Sequence, residues 1–296
     1  MNELRVPTLG TTTHAWEYGA DSGVPLILVH GFRGDHHGLE GVAEAFVARH
    51  PQLRLIVPDL PGFGATAPLP GREHDLTAFG DWLRAFVQQV APERHTVLGH
   101  SFGSLVVSQA IMQGLDPTRA ILVNPISSPA LQGPRALLTR AAIAYYRVAD
   151  WLPERPARLL LGHSAIVRVM SEVMAKTKES ELRRWIHGQH AAYFSTFVDT
   201  SSLSEAFRAS VSHTVTEFAE HFDMPTLIIA GERDDISELP AQLELHRRIP
   251  GSRLEIFPGV GHLIHYESVA DTVEVLTEFL AAQPAADHDG VVSTAR

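Results

Sequence analysis

The stretch "TVLGHSFGSLV", residues 96–106, joins one apolar run to a second through Gly99, Ser101 and Gly103. The first run predicts a buried strand and the second predicts a helix. A serine between two glycines at such a junction has the pattern of a nucleophile elbow, a strained turn that holds the hydroxyl at the carboxyl edge of a sheet. The alternative is a serine that caps the helix. The rest of the chain decides between these interpretations.

Short runs rich in Leu and β-branched residues alternate with helical patterns along most of the chain. Predicted strands cover residues 25–31, 53–62, 95–100, 120–125, 225–234 and 253–259. Helical spacing is clearest in the last pattern, where Val269, Val273, Leu276 and Leu280 share one face. This alternation predicts an α/β fold with a mostly parallel central sheet flanked by helices. Residues 3–8 and 14–19 predict an antiparallel edge.

The alternation stops between residues 128 and 217, where the sequence has helical periodicity and no convincing strand. Because this stretch is too long for a plain loop, we predict an inserted helical cap, or lid, over 128–217. The core domain is then formed by residues 1–127 and 218–284. Residues 285–296 have no periodicity, which predicts a disordered tail.

Composition excludes several classes of function. Lys and Arg number 24 against 34 Asp and Glu, a net charge of -10 without runs of one sign, which argues against nucleic-acid binding. The chain has no cysteine, so disulfides, thiolate metal sites and a cysteine nucleophile are excluded. We find neither a leader pattern nor an apolar run long enough to insert stably in a membrane, and we expect a cytoplasmic protein.

A serine hydroxyl becomes a useful nucleophile only when a histidine takes its proton and a carboxylate orients that histidine. His262, in "FPGVGHLIHYE", follows the last predicted strand and is our candidate base, with His265 as the nearest rival. Asp234 and Asp235, in "LIIAGERDD", follow the preceding strand. We predict Asp234 as the acid and keep Asp235 as the alternative; either could instead be an exposed loop carboxylate or a helix cap.

Four motifs carry a resemblance to a known family: "HGFRG" from His30, "DLPGFG" from Asp59, "GHSFG" at the elbow, and the ordered pair "GERDD" and "GVGHLIHYE". With them the chain resembles the capped serine hydrolases of the α/β-hydrolase fold family, including carboxylesterases, lipases and meta-cleavage product hydrolases. The order serine, aspartate, histidine agrees with that fold. The resemblance implies that the backbone N–H groups of Phe32 and Phe102 form an oxyanion hole. It implies no metal or organic cofactor.

The expected function is hydrolysis of a small or medium apolar carboxylic ester through an acyl-enzyme on Ser101. Thioesterase, perhydrolase and C–C hydrolase activities stay open, although meta-cleavage product hydrolases typically carry Trp where this chain has Leu263. Dehalogenases and epoxide hydrolases are disfavoured, since they need an aspartate at position 101. A ligand-binding receptor or scaffold on the same fold is the alternative that is not an enzyme. The oligomeric state is left open.

Three further features have two interpretations each. Asp35, His36 and His37 form either a metal site or a polar loop, and the absence of a zinc-protease pattern favours the loop. The arginines of the predicted cap either bind a substrate carboxylate or, as we prefer, form a solvated face. These arginines are Arg140, Arg147, Arg155 and Arg158. Aromatic side chains near the end of the cap are candidates to reach a pocket: Tyr193, Phe194 and Phe197.

An apolar stripe runs along the first predicted helix of the cap, at Leu137, Leu138, Ala141, Ala142, Tyr145, Val148, Trp151 and Leu152. We prefer the interpretation in which this stripe packs the cap onto the core. Two alternatives are that it lines an acyl pocket or that it contacts a lipid surface.

Overall fold

A computed structural model describes residues 1–131 and 136–282, together with the backbone of residues 291–294. The strands in these residues are β1 (Asn2–Thr8), β2 (Thr11–Gly19), β3 (Pro25–Val29), β4 (Arg54–Pro58), β5 (Thr96–His100), β6 (Arg119–Val123), β7 (Thr226–Gly231), β8 (Arg253–Phe257) and β9 (Val291–Thr294). They form one sheet in the order β1-β2-β4-β3-β5-β6-β7-β8-β9. β1 pairs antiparallel with β2 and β2 antiparallel with β4, while the other neighbours are parallel. The predicted mostly parallel sheet with an antiparallel edge is confirmed.

Helices cover both faces of the sheet and fill the segment between β6 and β7. Those of the sheet layers are α1 (His37–Arg49), α2 (Leu76–Val90), α3 (Phe102–Met112), α9 (Leu239–Arg248), α10 (Ile264–Glu267) and α11 (Val269–Ala281). The segment between β6 and β7 contains α4 (Ala136–Asp150), α5 (Glu154–Leu161), α6 (Ser164–Met174), α7 (Ser180–Tyr193) and α8 (Thr200–Ser212), followed by a 3-10 helix at Val215–His221. None of the helices in the described ranges has both the length and the apolar character needed to cross a bilayer.

The continuous apolar runs of the central strands follow from burial on both faces of the sheet. In β3, Ile27 and Val29 pack into the apolar cluster that contains α2 and α3. Leu26 and Leu28 point to the opposite side and pack with α1 and α11. Because neighbouring side chains of a strand alternate between faces, a strand covered on both sides has no polar positions.

The junction between β5 and α3 has no room for side chains at its two glycines. A Cβ atom on Gly103 would lie 2.2 Å from the carbonyl oxygen of Val29, and one on Gly99 would lie 2.5 Å from the carbonyl oxygen of Gly103. Between them Ser101 has a φ of 52°, a backbone conformation that L-residues seldom adopt. The helix therefore starts directly against the sheet, with Ser101 at the turn.

The first inserted helix, α4, packs only part of its apolar stripe onto the core, where Ala142 and Tyr145 are partly buried. Its buried residues are Tyr146 and Ala149, and the ring of Tyr146 stacks on Phe207 of α8 with centroids 3.9 Å apart. The side chains of Leu137 and Trp151 are instead 77% and 84% exposed. The preferred interpretation of the stripe is thus wrong for these residues, because helical spacing identifies an apolar face without identifying its neighbour.

The predicted disordered tail, 285–296, lies mostly outside the described residues. Within it, Val291–Thr294 form β9 and pair parallel with β8. For these four residues the prediction of disorder is wrong. The physical reason is that β8 presents unpaired backbone groups at the edge of the sheet, and the β-branched sequence "VVST" suits strand pairing.

The contacts of the glycines predict opposite effects of two alanine substitutions. Gly103→Ala should lower the free energy of unfolding by about 3 kcal/mol, because the new methyl group collides with backbone of β3. Gly41→Ala in α1 should raise it by about 0.5 to 1 kcal/mol, since no atom lies within 4 Å of its Cβ position. Urea unfolding followed by circular dichroism measures both. Equal stability of the Gly103→Ala variant and the wild type would contradict the tight junction.

Candidate active site

Three polar side chains meet at the carboxyl edge of the sheet. Ser101 follows β5, Asp234 lies in the turn after β7, and His262 lies in the loop after β8. Since the carboxyl ends of parallel strands share one edge, residues far apart in the chain come together there. The structure brings together the serine, histidine and first-choice aspartate that the sequence predicts.

A continuous hydrogen-bonded chain joins these residues. The Oγ of Ser101 donates to Nε2 of His262 at 2.8 Å, and Nδ1 of His262 donates to Oδ2 of Asp234 at 2.9 Å. The other carboxylate oxygen of Asp234 accepts the backbone N–H of Ile236 at 2.8 Å. Because the buried aspartate accepts from Nδ1, the histidine keeps Nε2 free to accept the serine proton.

The rival residues occupy other positions. Asp235 forms an ion pair with Lys176, in the connection between α6 and α7. The imidazole of His265 packs against His100, with ring centroids 4.2 Å apart, and against Tyr266. His100 in turn donates from Nε2 to the carbonyl oxygen of His262 at 3.2 Å, so it supports the histidine loop.

Two backbone N–H groups lie beside the serine without an acceptor in the described part of the chain, those of Phe32 and Phe102. Phe102 is the first residue of α3, where the helix dipole favours negative charge. The loop that carries Phe32 runs close to the serine, since a Cβ atom on Gly31 would lie 3.3 Å from Cβ of Ser101. Neither amide is therefore engaged in a hydrogen bond within the described part of the chain, and both belong to segments that approach Ser101.

The motifs "HGFRG" and "DLPGFG" fix the loop of Phe32 in place. His30 donates from Nδ1 to the carbonyl oxygen of Gly31 and accepts the N–H of Leu60 at Nε2, both at 2.9 Å. Asp59 accepts the backbone N–H groups of His36 and Ala65, each at 2.8 Å. These buried bonds tie the loop after β3 to the loop after β4.

Asn124 connects the loops that carry the aspartate and the histidine. Its buried side chain donates from Nδ2 to the carbonyl oxygen of Gly261 at 3.0 Å and accepts the N–H of Gly231 at 2.7 Å. The sequence analysis did not assign this role to Asn124. The sequence does contain a signal for it: Asn124 is a polar residue directly after the buried strand β6, and the neighbouring strand β7 leads to Asp234.

Arg33 joins the loop of Phe32 to three inserted helices. Its buried guanidinium donates to the carbonyl oxygen of Phe194 at 3.1 Å, the hydroxyl of Tyr146 at 3.0 Å and the carbonyl oxygen of Leu161 at 2.7 Å. These acceptors lie in α4, at the end of α5 and just after α7. All three acceptors are neutral. The hydrogen bonds to them take the place of the water molecules that the charged Arg33 guanidinium loses when it is buried.

Glu267 of α10 holds the other side of the inserted segment. One carboxylate oxygen accepts the N–H groups of Lys176 at 2.6 Å and Thr177 at 2.9 Å. The other accepts the N–H of Gly261, next to His262, at 3.3 Å. The connection between α6 and α7 is thereby fixed over the histidine loop.

A cavity of about 140 Å³ lies between Ser101 and the inserted helices. Its walls combine Phe32, Leu263 and Ile236 of the sheet layers with Met170 and Met174 of α6, Tyr193 of α7 and Phe194 just after it. Tyr193 and Phe194 thus reach the cavity, as the sequence suggests. Phe197 does not line it; its ring lies beneath the guanidinium of Arg158, 4.9 Å from the ring centroid. The lining contains no lysine or arginine among the described residues.

Two histidines that line this cavity, His100 and His265, are held uncharged. Burial, with the nearby His262, lowers the pKa of His100 to about 3. Burial also lowers the pKa of His265 well below its usual range. At neutral pH these rings therefore contribute polarity without charge.

Asp35, His36 and His37 are the described residues whose ligand atoms lie close enough together, within 4.8 Å, to hold a metal ion. The imidazole rings of His36 and His37 both already have partners. His37 contacts Asp35 at 3.0 Å and stacks on Tyr193, while the Nδ1 of His36 lies 3.0 Å from Asp59. These contacts join the start of α1 to the inserted segment, in agreement with the polar-loop interpretation.

Known proteins share this architecture. A family model described as "Alpha/beta hydrolase family" matches residues 26–275. The 2-succinyl-6-hydroxy-2,4-cyclohexadiene-1-carboxylate synthase of Salmonella typhimurium is 27% identical over 273 residues, which cover 90% of this chain and 98% of that protein. An uncharacterized protein of Mycobacterium tuberculosis is 24% identical over 316 residues, covering 98% of this chain and 86% of the relative.

Among solved structures, an esterase from Exiguobacterium antarcticum superposes with a TM-score of 0.74 at 18% identity. The superposition covers 92% of this chain and 97% of the esterase. At this identity the likeness shows a common fold.

A buried histidine among the inserted helices predicts how stability depends on pH. Burial lowers the pKa of His190 from the ordinary 6.5 to about 3. Below pH 6.5 the unfolded chain therefore binds a proton that the folded chain does not, so acid lowers the free energy of unfolding by about 1.4 kcal/mol per pH unit from this residue. His190→Gln should show a correspondingly shallower decline in urea unfolding between about pH 6 and pH 4. Parallel profiles of variant and wild type would contradict this account.

Proposed function

This chain belongs to the Alpha/beta hydrolase family, and on that basis we propose that it is a serine hydrolase that cleaves a small or medium apolar carboxylic ester. The main support is the unbroken hydrogen-bonded chain from Ser101 through His262 to Asp234. A serine that merely capped a helix would not need a buried histidine and carboxylate in line with its hydroxyl.

The mechanism we propose assigns one step to each group. Ser101 attacks the ester carbonyl while His262 accepts its proton, and His262 then protonates the departing alcohol. Asp234 keeps the imidazole oriented and stabilises its positive charge. The N–H groups of Phe32 and Phe102 donate to the tetrahedral oxyanion, where losing one donor costs about 3 to 4 kcal/mol of transition-state stabilisation. Water, activated by His262, then releases the acid from Ser101.

The cavity supports a short, uncharged acyl or alcohol group as the bound part of the substrate. Its volume, about 140 Å³, is close to that of an apolar cavity known to hold benzene. Its walls are mainly apolar side chains, with the neutral His100 and His265 and the carboxyl group of Asp35 among the polar ones. A substrate carboxylate would find no cationic side chain in the described lining to balance its charge.

We further propose that residues 128–217 act as a cap on a core made of residues 1–127 and 218–284. The contacts that support this are those of α6 and α7, whose side chains close the cavity above Ser101. Closing the site in this way excludes water and strengthens the electrostatic interactions within it.

The hydrogen-bonded chain from Ser101 to Asp234 can be tested by substitution. With p-nitrophenyl esters from acetate to longer acyl chains, Ser101→Ala, His262→Ala and Asp234→Asn should each lower kcat/KM by about 1,000-fold or more. Asp235→Asn is the matched control, since this neighbour pairs with Lys176, and it should retain most of the activity. The cavity volume predicts a preference for short acyl chains.

The outcomes separate the candidate functions. A wild type inert on every ester would reject ester hydrolysis and favour C–C hydrolysis or a ligand-binding receptor. Equal loss in Asp234→Asn and Asp235→Asn would reject Asp234 as the specific orienting acid.

The role of Arg33 in positioning the loop of Phe32 can also be tested by substitution. Arg33→Met should lower kcat/KM about tenfold or more, because three hydrogen bonds to a charged donor, each worth about 1.5 to 3 kcal/mol, no longer hold the loop of Phe32 against the cap. Arg158→Met is the control: Arg158 binds carbonyl oxygens of the same segment without contacting that loop. It should lower the melting temperature with little change in kcat. Similar kcat losses in both variants would contradict the positioning role of Arg33.

A further inference from the structure

The exposed side of α4 is an apolar face without a partner in the described residues. Leu137, Leu138 and Trp151 are 77%, 60% and 84% exposed, and Val148 is 47% exposed. Leu137 and Val148 share one face through the spacing of the helix, opposite the buried Tyr146, and Trp151, in the turn that follows α4, lines the same surface depression as Val148. We call Leu137, Val148 and Trp151, with Arg140 and Arg147, the α4 outer face.

The charge on this face is opposite to that of the molecule as a whole. Arg140 and Arg147 stand beside the apolar side chains, three and ten positions after Leu137, and neither has an ion pair within the described ranges. The nearest acid on the helix, Asp150, already pairs with Arg208 at 3.2 Å. In a chain of net charge -10, this face is a positive strip that complements a negative partner.

The arrangement of side chains favours a lipid surface over a second copy of the chain. Exposed Trp and Leu with flanking arginines match a helix that lies in the plane of a bilayer, where apolar groups enter the headgroup region and arginines reach the phosphates. A symmetric dimer through the same face would place Arg140 and Arg147 of both copies in one interface. Like charges at such a contact are unfavourable.

We propose that the α4 outer face docks the protein on the surface of an anionic lipid bilayer. Leu137, Val148 and Trp151 enter the interface, while Arg140 and Arg147 bind lipid phosphates. The docking is separate from the proposed ester hydrolysis, because none of these five side chains lines the cavity at Ser101.

The test is co-sedimentation of the full chain with vesicles of phosphatidylcholine alone or mixed with phosphatidylglycerol. Wild type should bind the mixed vesicles much more strongly, and added salt should weaken the binding. Each arginine near an anionic leaflet changes partitioning about fivefold, so the double variant Arg140→Gln/Arg147→Gln should bind roughly 30-fold more weakly. Leu137→Ser/Trp151→Ser should lose most binding to both kinds of vesicle.

Matched controls change the same chemistry elsewhere on the surface. Arg49→Gln/Arg94→Gln removes equal charge from two other exposed positions, and Val24→Ser removes an apolar side chain that is 46% exposed. Both should bind like the wild type. The proposal is overturned if wild type fails to bind the mixed vesicles, or if controls and α4 variants lose binding equally.

Sedimentation velocity without lipid gives an independent check on whether the α4 outer face binds lipid or a second copy of the chain. A dimer that dissociates in Leu137→Ser/Trp151→Ser would assign the face to self-association and overturn the lipid proposal, whereas a monomer supports it. Ester hydrolysis in solution should be unchanged in every α4 variant. Failure of docking and failure of the proposed hydrolysis are therefore separate results.

Discussion

The close approach of α3 to the central strands is the constraint on which the site depends. With only glycine possible at positions 99 and 103, the chain turns sharply and Ser101 takes a φ of 52°. Such a conformation costs on the order of 1 to 3 kcal/mol. It is held by the backbone N–H of Ser101, bonded to Val123 at 3.1 Å, and by its carbonyl oxygen, which accepts from the Ser104 hydroxyl at 2.5 Å. The turn thereby leaves both the Ser101 hydroxyl and the Phe102 amide directed to the sheet edge.

The inserted helices depend on the same edge, because they are attached to it by buried or half-buried charges rather than by apolar packing alone. Arg33 fixes α4, α5 and the end of α7 to the loop of Phe32. Glu267 fixes the connection between α6 and α7 to the loop of His262. Both attachments begin next to residues that we propose to be catalytic. Movement of the inserted segment would therefore change the geometry of the amide donors or of the histidine directly.

The parts of this molecule that sequence predicts are those in which a local pattern has one physical meaning. Continuous apolar runs identify strands buried on both faces, and their order places Ser101, Asp234 and His262 at one edge. The partners of Arg33 lie 113 to 161 residues away, and no local pattern specifies them. Asn124 and Glu267 are similar cases, since an isolated polar residue can form hydrogen bonds with many partners, and only the fold determines which ones. For α4, the spacing of Leu137 and Trp151 is that of a buried face, and only the packing of α8 against Tyr146 shows that it is the outer one.

The electrical character of the cavity follows from where the charges are placed. Arg33 turns its guanidinium into the inserted helices, and burial keeps His100 and His265 neutral. In the mechanism that we propose, the donors beside the serine are backbone amides, which are neutral dipoles. Under the proposed mechanism they bind most strongly when the carbonyl oxygen becomes an oxyanion, while a neutral ester gains less from them. A fixed cation in the same place would also hold the carboxylate product. In the proposed mechanism, amides in place of a cation would therefore favour the transition state and still allow the acid to leave.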